Sequence, residues 1–228
     1  MEPAGKAHVF VDDVDAPVLS TGDRHHLERV LRLRAGDELT VADGQGRWRR
    51  CTFGAVIDPI GAVEVDQPND PAVTVAFALV KGGRPELVVQ KLTEIGVDRV
   101  VPFVAARSVV QWDDDKAAHQ HARLTTVARE AAMQSRRSRI PHVEPVSSFA
   151  AVSGIEGAVM ADRNGGAPSL DAPVVLVGPE GGWSDEERAA GLRTIGLGPT
   201  VLRAETAAIA VGVVLCGLRS GVFRAAQM

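Results

Sequence analysis

The sequence lacks several features that would assign it to a large class of proteins. Its 228 residues include only two cysteines, Cys51 and Cys216. Their wide separation argues against a disulfide framework and fits a reducing cytoplasm. The first residues, MEPAGKAHVFVDD, contain no basic stretch followed by a long apolar block, so we expect no signal peptide. The longest apolar run, Ala207–Leu218, is too short to span a bilayer. We therefore expect a cytoplasmic protein without a membrane segment.

Metal-ligand clusters and net positive charge are also missing. No group of Cys and His residues has zinc-site spacing, because His25-His26 and His119/His121 stand without further ligands, and we expect no metal. The formal net charge is −4, which excludes a protein that binds nucleic acid over its whole surface. Any nucleic-acid site must therefore be a local basic face on an acidic body. The composition, 45% hydrophobic and 24% charged, is typical of a globular protein.

The breaker-rich segment Gln67–Pro71 divides the chain into two regions of different texture. In the first, residues 1–70, short apolar or alternating runs are separated by turn residues, which predicts a small β-rich unit. The predicted strands are His8–Val11, Glu38–Val41, Trp48–Phe53 and Ala62–Val65. One helix is expected between the first two strands, Asp23–Leu33, because Leu27, Val30 and Leu31 fall on one face.

In the second region, residues 71–228, strands alternate with helices. Continuous apolar runs indicate strands buried on both faces. The predicted strands are Val73–Val80, Val100–Val104, Gly157–Ala161 and Val174–Val177. Helices are expected from Pro85 to Gly96 and from Asp115 to Ser135. This alternation predicts an α/β domain with a mainly parallel sheet.

The segment GPEGGWSDEE, residues 178–187, follows a buried strand and so lies at the sheet edge where α/β proteins bind ligands. Ser184 and Glu187 form a capping-box pattern, and Asp185 and Glu186 add negative charge to the first helical turn. These carboxylates disfavour phosphate, and neither a GK[ST] nor a GxGxxG pattern is present. The loop therefore holds a neutral or cationic ligand, or it is a tight turn without a ligand.

A second glycine- and proline-containing turn, GLGPTVLRAETA at residues 196–207, precedes an almost wholly apolar helix. Arg203 and Glu205 lie at the mouth of this helix, where charged groups need partners. Taken alone, the pattern predicts Glu205 as the helix cap and Arg203 as its ion-pair partner. Two glycine-rich loops that open onto apolar helices together favour a shared pocket.

Several segments resemble the RsmE-type RNA methyltransferases, the 16S rRNA uracil-N3 methyltransferases of the SPOUT superfamily. The most specific are the paired motifs LVGPEGGWSDEE and LGPTVLRAETA. HHLERVLRLRAGDEL, KLTEIGV (Lys91–Val97) and REAAMQSRRSRIP (Arg129–Pro141) are also similar to segments of that family. They occur in the family's order and cover nearly the whole chain. Two residues depart from the pattern: Ile95 replaces the usual leucine, and Ala204 stands where threonine is common, which weakens any role for a hydroxyl there.

The resemblance implies an α/β SPOUT domain over residues 71–228, with a C-terminal trefoil knot, and a small PUA-like RNA-binding β-barrel over residues 1–70. It also implies a homodimer and S-adenosylmethionine as the cofactor, bound in the knot. The adenosine of this cofactor is neutral and its reactive centre is a sulfonium cation, which suits a glycine loop surrounded by carboxylates. Carried over by motif, the cofactor-binding residues are Leu176, Gly178, Glu180, Gly181, Gly182, Leu197, Gly198, Leu202, Arg203 and Glu205.

The reaction implied is in-line methyl transfer to N3 of a uridine in 16S rRNA of the small ribosomal subunit, for which N3 must lose its proton. The catalytic candidates are Arg136, Arg137, Glu205 and Glu94. Either glutamate could be the base, or each could be a structural ion-pair partner, and arginine-stabilised loss of the proton to water is a third route. The RNA-binding candidates are Arg24, Arg29, Arg32, Arg34, Arg123, Arg129, Arg136, Arg137, Arg139 and Lys81. The alternative for the arginines of residues 123–139 is a solvated helix end.

Three other functions compete with this one. The first is a non-catalytic RNA-binding or ribosome-assembly factor that kept the fold, which the intact loop motifs disfavour. The second is another nucleotide-using α/β enzyme, which the missing phosphate motifs disfavour. The third is a SPOUT enzyme acting on a different RNA position, and the PUA-like region favours uracil N3 over it. The sequence does not distinguish free rRNA from the assembled subunit as substrate.

Overall fold

The computed structural model of the chain describes residues 5–81 and 84–224. The chain divides into two units. The first contains Met1–Pro68 together with Arg129–Ile140, and the second contains Asn69–Ala128 and Pro141–Met228. Within the described ranges, no helix has the length and apolar character needed to cross a membrane.

The first unit is built on one five-stranded sheet. Its strands are β1 (Ala7–Phe10), β2 (Glu38–Ala42), β3 (Arg47–Thr52), β4 (Asp58–Pro59) and β5 (Glu64–Val65). Strand β1 pairs parallel with β2, β2 pairs antiparallel with β3, and β3 pairs antiparallel with both β4 and β5. The four predicted strands are all present, displaced by at most two residues at either end. Val9, Leu39 and Cys51 lie in the buried core of this unit.

The helix predicted over Asp23–Leu33 has different bounds and a different buried face. Helix α1 spans Thr21–His25 and continues as a π-helical turn, His26–Val30. It begins before Asp23 because Ser20 is the N-cap, whose Oγ accepts a hydrogen bond from the backbone N–H of Asp23. It ends at Val30 because Arg32 adopts φ 55°, in the left-handed region. Leu27 is buried, but Val30 and Leu31 are 62% and 46% exposed, so the predicted apolar face is wrong for both.

The second unit alternates strands with helices, as predicted. In chain order its elements are β6 (Thr74–Ala78), α2 (Arg84–Ile95), β7 (Arg99–Val104), α3 (Asp114–Gln134), β8 (His142–Val143), β9 (Ser147–Ser148), α4 (Phe149–Ser153), β10 (Ala158–Gly166), β11 (Val174–Val177), α5 (Asp185–Arg188), β12 (Thr194–Ile195) and α6 (Ala204–Arg219). The last residues of α3 belong to the first unit.

All strands of the second unit form one parallel sheet, in the order β12-β10-β11-β6-β7-β8, with β9 also paired to β7. Every residue of β6 and β11 is buried, which explains their continuous apolar sequences. Because the strands run in the same direction, the segments that follow β6, β11 and β12 all emerge at the carboxyl edge of the sheet.

Candidate functional site

The loops that follow β11 and β12 line one pocket of about 260 Å³. This confirms the shared pocket that the two glycine-rich segments predict. Six of the ten predicted cofactor-binding residues line it: Gly178, Glu180, Gly182, Leu197, Gly198 and Leu202. The pocket also includes residues that the sequence did not indicate. Ala161, Asp162 and Arg163 reach it from β10, and Trp183 and Arg188 follow the first loop.

Trp183 forms a rigid part of the pocket wall. Its indole is buried, stacks on Phe103 with ring centroids 6.2 Å apart, and donates a hydrogen bond from Nε1 to the carbonyl of Ala161 at 3.0 Å. A Cβ atom at Gly178 would lie only 2.8 Å from Cε2 of this indole. The backbone at Gly178 therefore packs directly on the ring, which no larger residue permits without displacement.

The start of α5 carries the predicted capping box. The Ser184 Oγ accepts from the backbone N–H of Glu187 at 3.1 Å, and Glu187 Oε2 accepts from the N–H of Ser184 at 2.8 Å. The other oxygen, Oε1, accepts from the backbone N–H of Ala106 at 2.8 Å. Hydrogen bonds from its own backbone N–H and from Ser184 lower the pKa of Glu186 below its usual value. This helix end is therefore already satisfied by carboxylates and does not suit phosphate.

Charges of both signs surround the pocket. Arg188 Nη1 donates to Asp162 Oδ2 at 2.7 Å. Burial raises the pKa of Asp162, but this hydrogen bond and others more than offset that effect, and the net pKa is lowered. Glu180, also at the pocket, is 58% exposed at its side chain. The pocket lining therefore combines glycine backbone with two carboxylates and two arginines, Arg163 and Arg188, which suits a ligand with a neutral heterocycle and charges of both signs.

The remaining four predicted cofactor residues do not line the pocket. Leu176 is buried in β11, and the carbonyl of Gly181 accepts a hydrogen bond from Arg107 at 3.2 Å. Arg203 is the N-cap of α6 without a side-chain capping bond, and Glu205 lies in the first turn. The alternative in which Glu205 caps the helix and pairs with Arg203 is therefore wrong, because the ion-pair partner of Glu205 is Arg84.

Arg84 links the two loops, and sequence reasoning missed it. Its Nη1 lies 3.2 Å from Glu180 Oε1 and 3.5 Å from Glu205 Oε1. The Glu205 side chain is only 12% exposed, and its Oε2 is buried without a hydrogen-bond partner within the described part of the chain. The only local signal for Arg84 was its position at the start of the helix that follows β6.

The four catalytic candidates are divided between the two units. Glu205 is connected to the pocket through Arg84 and Glu180, whereas Glu94 pairs with Lys91 at 2.8 Å and does not line the pocket. Arg136 and Arg137 belong to the first unit. There Arg136 donates to the carbonyl of Gly5 at 2.7 Å, and the carbonyl of Arg137 bonds with His8 Nε2 at 3.0 Å.

The RNA-binding candidates divide into exposed and internally bonded cations. Arg29, Arg32, Arg34 and Lys81 are exposed, and so is Arg123, although it pairs with Glu86. The others have contacts within their own unit: Arg24 with Gly54 and Ala55, Arg123 with Glu86, Arg129 with Asp23, Arg136 with Gly5, Arg139 with Asp66, and Arg137 through its carbonyl with His8. Residues 136–139 lie beyond the end of α3 at Gln134 and form an ordered turn rather than a solvated helix end.

Comparison with known proteins matches both regions of the chain. A model of the RNA methyltransferase domain matches residues 67–215, and a model of the RNA methyltransferase PUA domain matches residues 19–61. The chain is 36% identical over 232 residues to the ribosomal RNA small subunit methyltransferase E of Mycobacterium bovis, covering 89% of this chain and 87% of that protein. It is 33% identical over 224 residues to the Bacillus subtilis protein of the same name, covering 85% and 87%.

The chain belongs to the ribosomal RNA small subunit methyltransferase E family. A solved structure of this family, the Neisseria gonorrhoeae protein bound to S-adenosyl methionine, is similar with a TM-score of 0.74 at 25% identity, covering 91% of this chain and 95% of that one. Membership in the family fits the α/β domain and the N-terminal PUA region that the resemblance implied.

Proposed function

We propose that this protein transfers a methyl group from S-adenosylmethionine to N3 of a uridine in 16S rRNA. The observation that carries the proposal is the pocket formed by two glycine-rich loops at one sheet edge, in a chain of this family. The Neisseria gonorrhoeae relative with bound S-adenosyl methionine supports the choice of cofactor.

The residues present fit this cofactor. The backbone groups of Gly178, Gly182 and Gly198 would hold the neutral adenosine, since glycine allows close approach of the main chain. Glu180 and Asp162 supply negative charge at the same pocket, which complements a sulfonium cation. When bound, the cofactor supplies an activated methyl group. Leu176, Gly181, Arg203 and Glu205 would act around this pocket by supporting the loops.

Removal of the N3 proton is the step in which the chain's own residues act. We favour Glu205 over Glu94 as the proton acceptor, because Ala204 and Ala207 beside Glu205 line the pocket, whereas neither Glu94 nor its partner Lys91 does. Arg136 and Arg137 would stabilise the charge on deprotonated uracil.

Paired variants test this assignment. Glu205→Gln keeps the shape but removes the base, so we expect about a 100-fold loss of kcat. Glu94→Gln, the matched control, should keep kcat within about threefold. Equal effects of the two substitutions would reject Glu205 as the base and favour proton loss to water.

The RNA would be held by cations of both units. We propose Arg24, Arg29, Arg32, Arg34, Arg123, Arg129, Arg136, Arg137, Arg139 and Lys81 as RNA-binding residues, among which exposed Arg29, Arg32, Arg34 and Lys81 are available for direct phosphate contact. Substitution of any one of these four exposed residues by alanine should lower the slope of log RNA affinity against log salt concentration by about one.

We also propose the finer organisation that the family resemblance implies. Residues 1–70 act as the PUA-like RNA-binding domain, and residues 71–228 as the SPOUT domain, whose last two loops and α6 form a trefoil knot. The protein acts in the cytoplasm as a homodimer. Exposed Val213, Val222 and Phe223 provide apolar surface for self-association. Light scattering that gives a monomer mass at micromolar concentration would contradict the dimer, and an experimental chain trace tests the knot.

The function itself is tested by incubating the protein with radiolabelled S-adenosylmethionine and small ribosomal subunits from a strain that lacks the modification. We expect label in 16S rRNA, and none in subunits that already carry the methyl group. Calorimetry in parallel with S-adenosylmethionine, ATP and NAD should detect binding of S-adenosylmethionine and no binding of ATP or NAD. Absence of both label and cofactor binding would leave a non-catalytic RNA-binding factor as the function.

A further inference from the structure

The first unit contains a cavity of about 700 Å³ whose lining shares no residue with the proposed cofactor pocket. β1, α1, the π-helical turn and residues 129–136 line it. Ala7, Val9 and Leu27 give it a buried apolar floor. Its charged lining residues are the cations Lys6, Arg129 and Arg136 and the carboxylates Asp23 and Glu130. Lys6 pairs with Asp37 at 2.6 Å, and Arg129 pairs with Asp23 at 3.0 Å. The cavity therefore combines an apolar surface with cations.

Backbone irregularities cluster at this cavity. Among residues 5–81 and 84–224, Arg32 and Arg136 are the only non-glycine residues with positive φ, at 55° and 57°. Arg136 lines the cavity, and so does Leu31, the neighbour of Arg32. Left-handed backbone costs a non-glycine residue about 1–2 kcal/mol, and such outliers concentrate at functional sites, as do π-helical turns. Arg136 is thus held in a costly conformation in the cavity lining, and Arg32 adopts one directly after a lining residue.

His8 fixes the wall that carries the second of these arginines. Its ring is 4% exposed; Nε2 lies 3.0 Å from the carbonyl of Arg137, and Nδ1 lies 2.7 Å from the hydroxyl of Thr40. Because a carbonyl can only accept, Nε2 carries the hydrogen and Nδ1 accepts from Thr40. These bonds join β1 and β2 to the turn at Arg136 and hold the cavity in one shape.

We propose that this cavity binds one unpaired nucleotide of the substrate RNA, with the base against the apolar floor and a phosphate at Lys6 and Arg136. Proteins recognise unstacked bases by inserting them into such sites and bind the adjoining phosphates through cations, whereas paired bases are not accessible. The inference rests on the proposed function for its RNA ligand, and it adds a preference for a single-stranded segment.

Gly22 offers a direct way to fill the cavity. It lies in α1 and lines the cavity, and a Cβ atom there would have only Ser20 Oγ within 4 Å, at 3.9 Å. Leucine fits a helix well, and it has no aromatic face on which a base could stack. Gly22→Leu should therefore add a bulky side chain at the cavity lining without disturbing the fold. Thr21→Leu adds the same group at the preceding helical residue, which does not line the cavity, and is the matched control.

The assay is fluorescence anisotropy with a labelled single-stranded oligouridylate of about ten nucleotides and with an RNA duplex of similar length. We expect Gly22→Leu to weaken single-strand binding about tenfold and duplex binding less than about twofold. Thr21→Leu should leave both affinities within about twofold. Lys6→Glu, at a side chain that is 64% exposed and pairs with Asp37, should weaken single-strand binding more than duplex binding.

Unchanged single-strand affinity in Gly22→Leu, or equal losses for single strand and duplex, would overturn the proposal. Thermal unfolding of each variant controls for folding, and if Gly22→Leu fails to fold, Lys6→Glu decides by the same criterion. Failure of the proposed function has a different signature: the wild type would not methylate rRNA, whatever its preference between single-stranded and duplex RNA.

Discussion

Acidification should destabilise the first unit through His8. Burial lowers the pKa of His8 to about 4 from its ordinary value of 6.5; the hydrogen bond with the Arg137 carbonyl acts in the opposite direction, and the charge of Arg136 lowers it further. Between these two values the unfolded chain binds a proton that the folded chain does not. The stabilising effect is therefore complete above about pH 6.5 and is lost as the pH falls towards 4.

The size of the effect follows from the separation of the two pKa values. Each pKa unit corresponds to about 1.36 kcal/mol, so between pH 7 and pH 4.5 the free energy of unfolding should fall by about 2.5 kcal/mol through this residue alone. Protonation would also turn Nδ1 into a donor facing the Thr40 hydroxyl, which must then give up its own donated bond.

Urea denaturation at the two pH values measures this loss. Carboxylates also titrate over this interval, so His8→Gln is the control: its side-chain amide can still donate to the Arg137 carbonyl but does not titrate. The wild type should lose about 2.5 kcal/mol more than the variant. An equal loss in both proteins would contradict a lowered pKa of His8, because it would show that His8 has an ordinary pKa in the folded state.

Two further substitutions test the cofactor loop. Glu187→Ala removes the acceptor for the backbone N–H groups of Ser184 and Ala106. The free energy of unfolding, measured by heat or urea, should therefore fall by about 3 kcal/mol. Unchanged stability would contradict the importance of this carboxylate. Gly178→Ala places a methyl group against the Trp183 indole and should weaken S-adenosylmethionine binding about tenfold by calorimetry. Gly154→Ala, away from the pocket, should leave the S-adenosylmethionine affinity unchanged. Equal affinities in the two alanine variants would contradict the packing of Gly178 against Trp183.

Sequence patterns predicted those features that depend on local chemistry. Strand β11 has the bounds that were predicted, Val174–Val177, because an apolar run flanked by turn residues defines a buried strand at both ends. The capping box at Ser184 and Glu187 also follows from adjacent residues. The start of α1 was missed because the capping role of Ser20 precedes the apolar pattern, and its end was missed because Arg32 is left-handed without being glycine.

The contacts that complete the pocket depend on strand order, which no local pattern contains. Asp162 and Arg163 reach the pocket because β10 lies between β11 and β12 in the sheet. Arg84 joins Glu180 and Glu205 because β6 neighbours β11. Arg203 and Glu205 lie close together in the sequence, which predicts an ion pair between them, but in the fold Glu205 pairs with Arg84 from another helix.

Methylation at uracil N3 is tested most directly by the identity of the methylated nucleoside. Small-subunit RNA labelled by this protein would be digested completely to nucleosides and compared by chromatography and mass spectrometry with methyluridine standards. We expect the label to appear as 3-methyluridine. Label in 2′-O-methyluridine or in a methylated guanosine would contradict methylation at uracil N3, even if the cofactor and the RNA substrate were those proposed.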